Sequence, residues 1–360
     1  MTGIGGKATA GLAADDRKNL WPGISGACIL YSAVIILFIF LGYRVQSREF
    51  YSGILITEFG IMLLPALVFT ALSGVRFREA LRLGPFRPAN IPVVIGIMIF
   101  AVPVAALFNV LNLFLVNSIF GKVFVSSLPS AKNDAQFVVN LLVIAGSAGI
   151  CEEVLFRGVL QRSFERFGAA RSILLAALLF SLTHLDFQKI FGTFLLGALI
   201  GYIVYRTNSL YCGILAHFTN NAAAVTVSYI SEKLLKAIQP SGGPTSGSVD
   251  FSEVFDTFSM LSKEELIIVF MIYGFMFLFA AVIFILMVFL LTRVNPVPPK
   301  PIPYEQEPAG EVETRGKAKG LLWLLPAILM ILLWFYVQAT AFLGIQNIVT
   351  ETFKLLVGSV

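Results

Sequence analysis

Long apolar runs separated by short polar connections dominate the chain. A helix that crosses a bilayer needs about 20 mostly apolar residues. Runs near 24–43, 53–73, 91–118, 136–160, 172–187, 189–206, 209–230, 266–292 and 320–343 meet or approach that length. The pattern predicts an all-α fold, a polytopic transmembrane helical bundle of 8–9 spans. The runs at 172–187 and 189–206 are short and nearly adjacent, so they also read as a tight hairpin that does not fully cross.

The basic residues divide the connections into two sets. Lys7, Arg17 and Lys18 precede the first run, and Arg76, Arg78, Arg82 and Arg87 follow the second. Arg157, Arg162, Arg166 and Arg171 follow the core of the fourth, and Arg206 ends the sixth. Arg293, Lys300, Arg315, Lys317 and Lys319 follow the eighth. These are alternate connections, and the positive-inside rule places them in the cytoplasm together with the N-terminus. The segments expected are a polar tail at 1–23, N-terminal helices at 24–135, a core at 136–230, and an acidic outer loop at 231–265. A helix at 266–292, a proline- and glutamate-rich cytoplasmic linker at 293–319, and a last helix with its tail at 320–360 complete the order. The first apolar run lacks a clear small-residue cleavage site and reads as a retained span.

Composition agrees with this reading. Hydrophobic residues make up 57% of the chain and charged residues 13%, about half the charged share of a soluble domain. Lipid is the solvent that accommodates such a chain. No basic run interleaves with aromatics, which argues against nucleic-acid binding. Cys28, Cys151 and Cys212 lie in or near apolar segments without metal-ligand spacing and read as small buried residues.

Ionisable groups in hydrocarbon are costly and usually mark a protein-lined interior. Three clusters qualify. In "EEVLFR", Glu153 and Arg157 are four apart and suited to an ion pair, while Glu152 points about 100° away and is left for chemistry. The competing reading puts both glutamates in an interhelical ion network. In "FSLTH", Phe180 and His184 share a helix face, and in "HFTNN", His217 and Asn221 do the same. Asn220 points elsewhere and reads as a packing residue. Glu58, in the second run, reads as lying near an interface. His184 and His217 are the only histidines in the chain. Measured from the nearest arginines, Glu152, His217 and His184 lie at depths of roughly 15, 16 and 20 Å, so they meet near mid-membrane.

A carboxylate, two imidazoles and a carboxamide make a plausible hydrolytic set. Burial suits Glu152 to act as a general base, with His184 orienting the water. His217 and Asn221 are placed to donate to a developing oxyanion. Glu152, His184 and His217 are also a donor set for zinc with water as the fourth ligand, although no HExxH is present.

The three motifs, in this order and on successive spans, resemble the EExxxR, FxxxH and HxxxN motifs of the CAAX-protease and bacteriocin-processing (CPBP, or abortive-infection) family of intramembrane proteases. The resemblance covers roughly residues 136–230. It implies that Glu152 is the catalytic glutamate, with His184, His217 and Asn221 completing the site and Glu153, Arg157 and Phe180 supporting it. It implies a peptide or protein substrate held at the lipid bilayer, prenylated CAAX-type proteins among them. It also implies a multi-pass protein of the plasma membrane, bacterial in origin. The asymmetric pairing of the two glutamates favours a mechanism without a cofactor, with zinc as the alternative. A proton-coupled transporter and a non-catalytic immunity protein of the same fold are the competing functions.

Overall fold

The computed structural model describes residues 23–73, 76–123, 131–238, 260–296 and 319–357. The expected tail up to residue 22, the loop between 239 and 259, and the linker between 297 and 318 lie outside the described residues. Every expected apolar run is helical, and there is no strand among the described residues. We number the helices α1 (Ile24–Arg48), α2 (Phe50–Leu72), α3 (Asn90–Phe120), α4 (Asp134–Phe167) and α5 (Ala169–Thr183). There follow α6 (Ile190–Thr207), α7 (Leu210–Ile238), α8 (Lys263–Val294), α9 (Leu321–Leu343) and α10 (Ile348–Val357). Seven of these, α1–α4, α6, α8 and α9, are long and apolar enough to cross a membrane. The protein is an integral membrane protein.

Helix α4 is the axis of the fold and packs against α2, α5 and α7. Its ladder widens into π-helical turns at Leu141–Gly146 and Val154–Gln161. Helix α2 does the same at Ile56–Leu63, just before Pro65. Proline removes a backbone donor from a helix, and a widened turn is one way for the ladder to accommodate that. Such turns recur at functional sites. The face of α4 formed by Cys151, Leu155, Phe156, Val159 and Leu160 is buried against Tyr31 and Ile35 of α1 and Leu179 and Phe180 of α5.

Helix α6 packs chiefly on α5, where a Cβ on Gly197 would meet Phe180 and Ala177, and the backbone at Gly197 and Gly201, one turn apart, is reached by long side chains of α4. Arg157 donates to the Gly197 carbonyl at 2.9 Å and Gln161 to the Gly201 carbonyl at 3.0 Å. A Cβ on Gly201 would stand 2.8 Å from Oε1 of Gln161. Small residues at this four-residue spacing let membrane helices approach closely.

The ends of the helices sort as the arginine pattern requires. A buried ion pair joins Arg82, before α3, to Glu165 at the end of α4. Arg87 donates to the Val294 carbonyl and Arg206 to the Thr292 carbonyl, both at the end of α8. The alternate basic connections therefore share one end of the bundle. At the other end Tyr51 donates to Asn140, and Tyr229 and Lys233 both donate to Asp134.

The expected run at 172–187 stops early: α5 ends at Thr183, His184 caps it, and Leu185 takes a φ of 52°. A branched residue in this left-handed region is strained and persists where its surroundings hold it. Here the Trp334 indole of α9 donates to the Leu185 carbonyl at 2.8 Å. Gln338 of α9 accepts from the Phe187 amide, and Asn112 of α3 donates to the Phe187 carbonyl. Tyr31 of α1 donates to the Leu179 carbonyl one turn before His184. The segment after α9, expected as a tail, folds into α10, whose Phe353 packs on Trp334 and Phe40.

Candidate active site

Glu153 and Arg157 form the ion pair that their spacing predicts. Nη1 of Arg157 lies 2.6 Å from Oε1 of Glu153, and both side chains are fully buried. The same Oε1 is 2.8 Å from Nδ1 of His217, brought by α7. Glu153 thus serves two helices. Close approach there depends on Gly213, where a Cβ would strike Val204 at 2.5 Å and Oε2 of Glu153 at 3.0 Å.

Phe180 is the hub of the site. Its ring meets His184 edge-on at 5.0 Å, His217 at 5.6 Å and Phe156 at 5.2 Å between centroids. The Arg157 guanidinium lies 4.6 Å from the ring centre, a contact that a π-face favours. Phe180 therefore spaces the two imidazoles as well as packing on its own i+4 neighbour. Nδ1 of His184 is bonded to the Phe180 carbonyl at 3.0 Å, and the ring is accessible at the end of α5. In both histidines the Nε2 atom is left for substrate or water.

Glu152 is half-buried and, among the described residues, has no hydrogen bond to Arg157 or His217. It is not without a neighbour, however. The Glu58 carboxyl of α2 lies beside it. Glu58 is buried within the helical bundle. Asn221 is half-buried one turn beyond His217, and Asn220 donates to its Oδ1 at 3.0 Å. Asn220 was expected to point away; its amide instead reaches the neighbouring carboxamide, leaving the Asn221 NH2 group to donate.

The donor set named for zinc can be compared with this geometry. Each histidine turns Nδ1 to a protein oxygen, as metal-binding histidines commonly do. Glu152, however, is turned to Glu58. Among the described residues, no three His, Cys, Asp or Glu side chains lie close enough together to hold a metal ion. Glu152, His184 and His217 do not form a ready zinc site. The three cysteines are buried free thiols, and Ser181 is bonded to the Ile190 carbonyl, so neither residue type offers a nucleophile here.

A carboxylate–imidazole cluster on four packed helices, α2, α4, α5 and α7, inside an integral membrane protein defines the site. The chain is also similar to a known family over part of its length. Residues 134–223, about a quarter of the chain, match the family described as type II CAAX prenyl endopeptidase Rce1-like, within the CPBP family. The matched segment runs from the start of α4 to just past Asn221 and contains all three motifs. The family implies a protease. No curated protein and no solved structure shows significant similarity to the chain.

Proposed function

We propose that the protein is an intramembrane endopeptidase that hydrolyses a peptide bond of a membrane-associated substrate, prenylated CAAX-type proteins included. The observation that supports it most is the meeting of both histidines on Phe180 beside the two glutamates of α4. In this reading Glu152 takes a proton from a water that His184 orients through Nε2. The water oxygen attacks the scissile carbonyl carbon. The oxyanion that forms is held by the Asn221 amide and by Nε2–H of His217, which donates from both nitrogens as an imidazolium. When the tetrahedral species collapses, the leaving amine takes the proton from Glu152, which returns the site to its starting state.

The test is cleavage of a panel of membrane-bound peptides, prenylated and plain, by purified protein in liposomes. Wild type is expected to cut, and Glu152→Gln and His184→Ala are expected not to. Full activity of Glu152→Gln sinks the assignment. Zinc is measured in the same preparation, and stoichiometric zinc lost together with activity would overturn the metal-free mechanism.

The proton-relay alternative draws on one observation, the contact of two carboxyls inside the membrane. A proton flux across liposomes that disappears in a His217 variant, without peptide cleavage, favours it.

A further inference from the structure

The contact between Glu58 and Glu152 has no counterpart in the three motifs, and Glu58 lies outside the segment that matches the family. We infer that Glu58 is a positioning residue for Glu152: it fixes the orientation of the catalytic carboxylate through a carboxyl–carboxylate hydrogen bond. The inference rests on the proteolytic reading above.

Three observations carry it. First, the Glu58 and Glu152 carboxyls lie side by side across the packed faces of α2 and α4, and two carboxyls this close avoid like-charge repulsion by sharing a proton, because two bare carboxylates offer only acceptors. An O–H···O⁻ bond of this kind is short and among the stronger ones. Secondly, Glu58 is held at its place. Its side chain is more than nine-tenths buried, and it sits in the widened turn of α2 that packs on the Ser147–Glu153 stretch of α4. Its neighbour Thr57, wholly buried, accepts from Gln46 at 2.9 Å and hydrogen-bonds the Gly53 carbonyl at 3.0 Å, which ties that turn to α1 and to the start of α2. Thirdly, Oε2 of Glu58 is buried without a hydrogen-bond partner among the described residues. Leaving a buried acceptor unsatisfied is unfavourable. A leucine here would fill the space without that cost, so a purely packing role does not account for a carboxyl.

The chemical need is plain. A glutamate has three side-chain torsions, and freezing them is entropically costly. Glu153 has its orientation set by Arg157 and His217, whereas among the described residues no cation is hydrogen-bonded to Glu152. One of its oxygens engaged by Glu58 leaves the other to face the water that His184 orients.

The experiment compares kcat and KM of wild type with Glu58→Gln, Glu58→Asp and Glu58→Leu in liposomes, with thermal melting in detergent as the check on folding. Glutamine has the length of glutamate and an NH2 group to donate to Glu152, so it rescues. Its kcat is expected within about threefold of wild type, while Asp and Leu lose about 100-fold in kcat with KM within about twofold. If Glu58→Leu fails to fold, the Gln and Asp variants decide the matter.

Wild-type kcat in the Asp variant overturns the inference. So does a loss that appears in KM alone. A Gln variant as inactive as Asp overturns it too, because the ionisable group itself would then be in the chemistry. If wild type cuts no peptide, the proteolytic reading fails and the inference with it. If wild type cuts, Glu152→Gln does not, and every Glu58 variant cuts normally, the inference fails alone.

Discussion

His217 and Glu153 meet at 2.8 Å, Nδ1 to Oε1, across the interface of α7 and α4. Arg157 closes on the same oxygen at 2.6 Å. A buried charge that loses its partner is costly, whereas a buried pair replaced as a pair often is not. Arg157→Leu is therefore expected to destabilise the fold by about 3–5 kcal/mol, read as a lower melting temperature in detergent. The double variant Glu153→Leu/Arg157→Leu should recover most of that stability and still fail to cut, since His217 then has nothing to orient it.

Among the described residues Glu152 has no hydrogen bond to Arg157 or His217, so its loss should fall on the chemistry. Glu152→Gln keeps the shape and the contact with Glu58. Cleavage is expected to drop by about 10²–10⁴-fold while melting stays close to wild type. Initial rates on a peptide already seated in the bilayer check this.

Asn221 and Asn220 separate donor from orienter. Asn221→Ala removes the proposed oxyanion donor and should lower kcat by about 10²–10³-fold with little change in KM. Asn220→Ala removes only the amide that holds Asn221, so its loss in kcat should be smaller. Equal losses would mean that the two carboxamides act as one group.

Gly197 of α6 packs against Phe180. A Cβ there would stand 3.0 Å from Cδ1 of Phe180 and 3.3 Å from the Ala177 backbone. Gly197→Val is expected to push Phe180 off both imidazoles and to cost about 1–3 kcal/mol through overpacking. Melting temperature and activity, measured together, check whether the ring's place is what the site needs.

The helices were legible because lipid imposes long apolar runs, and the shared end of the bundle because arginines mark alternate connections. Pairs within one helix were legible too: Glu153 with Arg157, Phe180 with His184, His217 with Asn221 all follow from a spacing of four. What the sequence did not reveal were contacts between helices. Nothing in a linear pattern joins residue 58 to residue 152, and an acidic residue in a span carries no address for its partner. The bond from Glu153 to His217 was hidden for the same reason. Asn220 was misread because a rotation of about 100° per residue separates Cα directions, yet two adjacent carboxamides are long enough to meet. The spacing of Gly197 and Gly201 was visible and is the signal that would have placed α6 close against its neighbours.

The early end of α5 has a consequence for the bilayer itself. Its 15 residues span about 22 Å, less than the roughly 30 Å thickness of hydrocarbon. Leu174 and Leu178 on this helix face outward, so the mismatch is met by lipid as well as by protein. A helix this short is accommodated by local thinning of the bilayer or by its neighbours in the bundle, and α5 stops at His184. Bilayer thickness is thus expected to be a variable of the reaction, because the helix that ends at the histidine assigned to the attacking water is itself shorter than the hydrocarbon.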